Sequence, residues 1–342
     1  MAHWLSRLFS PRTSRGAATT ARSSESLVES LTVWLGGGAL EPAAAAGWCA
    51  AVEELHALDG LEAHLPAMRA ALASFYARHP IEIHFGRDYK ASVVDPLPLD
   101  LDMLAGSGAT VAFAPWTRTV RTLQLRPGRR LPPQPFVDDV NAVLAHPDLP
   151  ETIAFLAIPS CDLHSVAEID RLVTLLCTAP QLRSLEHLVF QSVLIGLTPA
   201  HVVQLAAAPW AATLRSLAFS EQMVNWSVDL DAAERLPAYR ALGELRGLTH
   251  LHLYNNIGDG ADVEALLASG FPALTHLNVG ALYDPAALDA LLDRTKLPAL
   301  RELCIDGDIP RTHPVWDRVV ASGVPVYLHS RLVSASYPAR GG

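Results

Sequence analysis

From Val120 onward the apolar positions of this chain follow one short rule, an L-x-x-L-x-L spacing that returns every 26 to 34 residues. It fits Val120, Leu123 and Leu125, then Ile153, Leu156 and Ile158, then Leu185, Leu188 and Phe190, then Leu214, Leu217 and Phe219. It continues through Leu248, Leu251 and Leu253, through Leu274, Leu277 and Val279, and through Leu300, Leu303 and Ile305, with Val326 and Leu328 as a partial last copy. Alternation of this kind predicts a short strand whose leucines share one face while the intervening residues take the other. The third copy also fits if slid back to Leu182 and Leu185; that register buries His187, and burying an unpaired imidazole costs free energy, so the register that turns His187 outward is preferred.

Between the copies lie helical segments with clear punctuation. Thr198 precedes Pro199, and Asp284 precedes Pro285, each pair predicting an N-cap followed by proline in the first turn. Gly270 ends "ADVEALLASG" where a left-handed residue is expected. The unit is therefore strand, turn, helix, turn; one helix cannot cover its strand alone, so neighbouring units must stack. The array is expected over 119–330, with 331–342 as a flexible tail. Ahead of it, 25–80 is helical, with Ser26 and Glu29 as a capping box and Trp48 and Phe75 as core anchors. Residues 81–118 hold the strand-like "IEIHFG" and then irregular first-repeat or connecting material. The leader 1–24 is basic and Ser-rich with no acid before Glu25. It is expected to be a disordered tail; a transit peptide, or contact with a membrane surface through residues 1–10, are the alternatives.

Composition narrows the function class. Half of the 342 residues are hydrophobic and 18% are charged, which suits a globular body. The net charge of −9 gives no electrostatic footprint for nucleic acid; the densest basic run, Arg126 to Arg130, is taken as a solvated loop. No apolar run is long enough for a transmembrane helix. Cys49, Cys161, Cys177 and Cys304 lack metal or disulfide-framework spacing and are expected to be free thiols in a cytoplasmic protein, or an organelle-targeted one if the leader is a transit peptide.

On these residues the chain resembles the leucine-rich repeat proteins, and within them the cytoplasmic ribonuclease-inhibitor-like type. Ile153, Leu156, Ile158, Cys161 and Leu163 follow the family pattern, and "LTHLHLYNNIGDGADVEALLASG" looks like its strand, asparagine turn and helix, although Ile257 arrives one residue early. The resemblance implies an α/β solenoid: a horseshoe with a parallel sheet on its concave face, helices outside and a small α-helical N-terminal cap.

In that frame the outward positions form columns. The first holds Thr122, Phe155, His187, Ser216, His250, His276 and Glu302; the second Gln124, Ala157, Val189, Ala218, His252, Asn278, Cys304 and Tyr327. The third contains Tyr254, Gly280 and Asp306. All are expected to be displayed on the concave face. The apolar early part, Phe155, Ala157 and Val189, is either an exposed protein-binding surface or lies under the N-terminal region or a loop.

The function expected is non-enzymatic: a protein-interaction module that needs no cofactor and binds an unidentified protein partner. Its candidate contacts are Phe155, His187, His250, His252, Tyr254, His276, Asn278, Glu302 and Asp306. Two other classes stay open. One is a metal-binding or hydrolytic protein using His250, His252, His276 and Cys304, for which imidazole and thiolate are suitable ligands. The other is a structural subunit of a larger assembly.

Overall fold

A computed structural model describes residues 23–37, 42–85, 91–94, 100–104, 118–126, 136–146, 149–158, 166–191, 197–220, 230–253, 257, 259–307, 309–310, 312–328 and 331–332. Residues 1–22 of the leader, Cys161, Tyr254 and nearly all of the expected tail lie outside that set.

Helices α1 (Ser24–Gly36), α2 (Pro42–Ala57) and α3 (Leu61–Arg78) come first. The cap of α1 is not the expected Ser26 with Glu29. Ser23 is the N-cap, its hydroxyl accepting the Ser26 N–H at 3.3 Å, so Ser26 already sits in the first turn. Trp48 and Phe75 are fully buried. The Trp48 indole donates to Thr119 Oγ1 at 3.1 Å, and the Arg121 guanidinium lies 4.5 Å over the Tyr76 ring. These contacts set the three helices against the entrance to the sheet.

Strands β1 (Glu82–Phe85) and β2 (Ala91–Val94) pair antiparallel as a separate ribbon. From β3 (Asp100–Leu104) the chain enters one large sheet. It runs on through β4 (Thr122–Arg126), α4 (Phe136–Leu144), β5 (Phe155–Ile158), α5 (Val166–Thr178), β6 (His187–Gln191) and α6 (Pro199–Ala206). Then come β7 (Ser216–Ser220), α7 (Ala232–Gly243), β8 (His250–Leu253), α8 (Gly260–Leu266), β9 (His276–Ala281) and α9 (Pro285–Leu291). Strand β10 (Glu302–Asp306), α10 (Val315–Ser322), β11 (Val326–Leu328) and β12 (Arg331–Leu332) complete it. The ten-stranded sheet keeps chain order from β3 to β12. Neighbours are parallel up to β11, and β12 returns antiparallel. Arg331 and Leu332, expected to open a flexible tail, are thus the last strand: they cover the open edge of β11. The chain is an α/β protein with a parallel sheet built from repeated strand–helix units.

The apolar template lines the core. Its positions from Val120 to Val326 are buried, with Leu156, Leu188, Leu251, Leu277 and Leu303 on successive strands. Each helix from α4 to α10 packs on the next. At the strand entrances, two consecutive backbone N–H groups donate to one carbonyl of the preceding unit. Ala154 and Phe155 donate to Arg121, Glu186 and His187 to Ala154, and Arg215 and Ser216 to Glu186. Thr249 and His250 donate to Arg215, Thr275 and His276 to Thr249, and Arg301 and Glu302 to Thr275.

Caps hold the helices where the punctuation placed them. Thr198 caps α6, with a contribution unseen in the sequence: the His201 side chain accepts the Thr198 N–H at 3.0 Å, closing a capping box. Asp284 caps α9 ahead of Pro285. Helix α8 stops at Leu266, and Gly270 beyond it has φ 68°, the left-handed conformation expected there.

Two close fits are specific to this stack. A Cβ at Gly307 would stand 1.9 Å from the Leu282 carbonyl oxygen, so the crossover from β10 lies directly on that from β9. On the helical side Asp262 is fully buried and accepts Arg235 Nε at 2.6 Å, while Arg235 also reaches Asp259 at 2.6 Å and the Leu230 carbonyl at 2.9 Å. This ion network joins the body of α7 to the first turn of α8.

Gly307→Ala is expected to lower the unfolding free energy in urea by roughly 1–3 kcal/mol or more, because backbone rather than a flexible side chain blocks the new methyl. An unchanged midpoint would show that the two crossovers do not touch. Asp262→Ala, which removes the buried one of the two carboxylates paired with Arg235 and leaves Asp259 in place, is expected to lose roughly 1.5–3 kcal/mol in the same assay. A loss below the size of an ordinary surface substitution would mean that the network is solvated.

Candidate functional site

Strand pairing brings the outward residues into rows. In the first, Thr122 faces Phe155, Phe155 faces His187, and so on through Ser216, His250, His276 and Glu302. In the second, Gln124, Ala157, Val189, Ala218, His252, Asn278, Cys304 and Tyr327 are neighbours in that order. The third row departs from expectation. The register shifts between Cys304 and Asp306, so Asp306 faces Ala281 and not Gly280. The cause is local: Gly280 adopts φ 59°, and the Asn278 side-chain oxygen accepts its N–H at 3.1 Å, which kinks the end of β9.

Exposure does not follow the rows. Phe155 is 1% exposed, His187 7%, His252 1% and Asn278 6%. Thr122, Ala157, Val189, Ser216 and Ala218 are buried as well. These four candidate contacts are therefore corrected from displayed to buried; alternation places a side chain on a face of the sheet and leaves open what lies over that face. The early apolar part of the face is covered. Only further along does the first row emerge: His250, His276 and Glu302 are half-buried, as are Cys304 and Asp306 on β10. Tyr254 falls outside the described residues.

The buried imidazoles have distinct surroundings. His187, in the preferred register, is buried nonetheless, and its Nδ1 lies 3.0 Å from Ser216 Oγ. Burial, then the neighbouring His250, Arg121 and Arg215, push its pKa down to about 4. Burial alone takes His252 down to about 4. The His276 pKa is also lowered, by burial first and by Arg301, against an opposing pull from Glu302.

His250 and His276 stack face to face, with ring centroids 4.3 Å apart and planes within 5°. Each is steadied by the threonine before it. Thr249 Oγ1 lies 3.0 Å from His250 Nδ1, and Thr275 Oγ1 lies 2.8 Å from His276 Nδ1. Parallel rings aim their nitrogens alike, whereas a tetrahedral ligand set converges on a point. Among the described residues, no three His, Cys, Asp or Glu side chains are gathered closely enough to hold a metal ion. Cys304 Sγ contacts Glu302 Oε1 at 3.6 Å. Of the other described cysteines, burial pushes the Cys49 thiol up to about 12 and the Cys177 thiol to about 11, away from nucleophilic chemistry at neutral pH.

Some features were not found by sequence reasoning. A cleft of about 380 Å³ lies between α3 and the strand entrances, with Arg69, Tyr76, Arg121, Ser184 and Glu186 among its walls. Arg121 donates to Glu186 at 2.7 Å across one of them. Its residues are far apart in the chain, and no motif announces them. The threonine supports, by contrast, had a signal in the repeated Thr-His of "LTHLHL" and "LTHLNV".

Compared with known proteins, the chain matches no family model and no curated protein. Among the described residues, no helix is long and apolar enough to cross a membrane.

Acid sensitivity follows from His187 and His252. Each is held neutral when folded, with a pKa near 4, and binds a proton near pH 6.5 once unfolded. The stability this represents is complete above about pH 6.5 and is lost as pH falls toward 4, by up to about 1.4 kcal/mol per pH unit for each imidazole. Urea melts between pH 7 and pH 5 should show this slope, and His252→Leu should make it shallower by about one proton. An unaltered slope in that variant would place His252 in water.

Proposed function

We propose that the chain is a divergent leucine-rich repeat protein of the ribonuclease-inhibitor-like type, a horseshoe in which α1–α3 form the N-terminal cap. In this reading it is a cytoplasmic, non-enzymatic interaction module that binds a protein partner on the concave sheet. The observation carrying the proposal is the change along a single row of the sheet. Phe155, His187 and Ser216 are buried, whereas His250, His276 and Glu302 reach solvent on a rigid backbone. A recognition surface needs polar and aromatic groups held in place with part of their area free, and this stretch supplies them. Burial takes Phe155, His187, His252 and Asn278 out of the contact set, which leaves His250, Tyr254, His276, Glu302 and Asp306.

Affinity capture with the full chain tests the reading. His276→Ala combined with Glu302→Ala should sharply reduce recovery of a partner while leaving the melting temperature close to wild type. Glu264→Ala, exposed on helix α8, should leave recovery intact. Equal recovery by all three proteins would remove the concave face from the interaction.

A further inference from the structure

The Thr275 hydroxyl has one hydrogen, and it donates that hydrogen to the Thr249 carbonyl at 2.9 Å. Its 2.8 Å contact with His276 Nδ1 is therefore made as an acceptor, so the ring carries its hydrogen on Nδ1. The lone pair is then on Nε2. Thr249 repeats the device one strand earlier: its hydroxyl donates to the Arg215 carbonyl at 3.0 Å and so accepts from His250 Nδ1. The His250 ring, stacked at 4.3 Å, holds the plane of His276 in turn. Burial favours the neutral form of His276, which keeps Nε2 an acceptor at neutral pH.

Glu302 is the next residue of the row, Cα partner of His276 across the β9–β10 pairing, and adjacent strands are about 4.8 Å apart. The row thus presents an imidazole lone pair beside a carboxylate, both half-exposed and both acceptors. The Cys304 thiol lies on the carboxylate from the same strand. Arg301, exposed at the entrance to β10, acts on His276 by lowering its pKa.

We infer that His276 and Glu302 form the seat for an arginine side chain of a protein partner. The inference rests on the reading of the concave sheet as a recognition face and names the chemistry it recognises. A guanidinium has five N–H donors in a planar fork and no acceptor, the complement of two adjacent acceptors, one of them a ring held in its plane by a stacked neighbour. The chain's net charge of −9 draws such a group in from a distance.

The test uses the full-length protein and a fluorescein-labelled peptide of alternating glycine and arginine, with a citrulline peptide of the same length as the uncharged control. Fluorescence anisotropy should show binding of the arginine peptide and none of the citrulline peptide. Glu302→Gln and His276→Leu should each weaken binding by roughly tenfold, the loss expected for one charge-assisted or otherwise unpaired hydrogen bond. His276→Gln, which returns a carbonyl acceptor, should recover part of that loss. Glu264→Gln removes the same charge from the helical side and should change affinity by less than about twofold. Melting curves confirm that each variant is folded. If Glu264→Gln weakens binding as much as Glu302→Gln, or if the citrulline peptide binds equally, the arginine seat is overturned. Loss of partner capture in the His276 and Glu302 variants without any binding of the arginine peptide would leave the recognition face standing and remove only its arginine specificity. If neither assay responds to these variants, both readings fall.

Discussion

The structure depends on the backbone of one unit accepting from the backbone of the next. At each strand entrance from β5 to β10 a single carbonyl takes two consecutive N–H groups, and the parallel ladder then continues from that point. The arrangement sets the register of each strand from the one before it. A slip of one residue would carry the leucine column to the other face, so the core and the ladder enforce the same alignment. The residues on the face opposite the leucine column inherit their neighbours from this pairing.

The helical side reinforces the stack by different means. Consecutive helices touch, and between α7 and α8 the contact includes a buried guanidinium between two carboxylates, one of them fully buried. Replacing such a pair with apolar groups is often neutral, whereas breaking it is costly, so its effect is to specify one packing of α7 against α8. Gly307 does the same for the crossovers on the other edge of the strands: only a residue without a Cβ fits beneath the Leu282 carbonyl.

Burial divides the first row of the face opposite the leucine column into two parts. The early strands place enclosed groups there, Thr122, Phe155, His187 and Ser216; the later ones place stacked histidines and a carboxylate that reach water. In the recognition role proposed above, side chains fixed on a parallel sheet would lose little freedom when a partner arrives. The same rigidity makes the stacked imidazoles poor converging ligands.

The sequence by itself determined the period, the leucine column, the neighbours in the first two rows of the opposite face, and the caps at Thr198 and Asp284. All of these are local, or are carried from unit to unit by repetition, so spacing along the chain is enough to find them. Only the tertiary structure decided which residues of that face see solvent. His187 and His276 stand in the same row of the sheet, each two residues after a template leucine, yet one is 7% exposed and the other half-buried. No pattern within the strand encodes that difference. The Arg121–Glu186 bridge in the wall of the cleft joins residues 65 apart in the chain, and only the stacking of units brings them together. The Asp306 shift and the closure of the α6 cap by His201 are local, but they turn on a left-handed Gly280 and on an imidazole in the place where Glu or Gln usually closes the box.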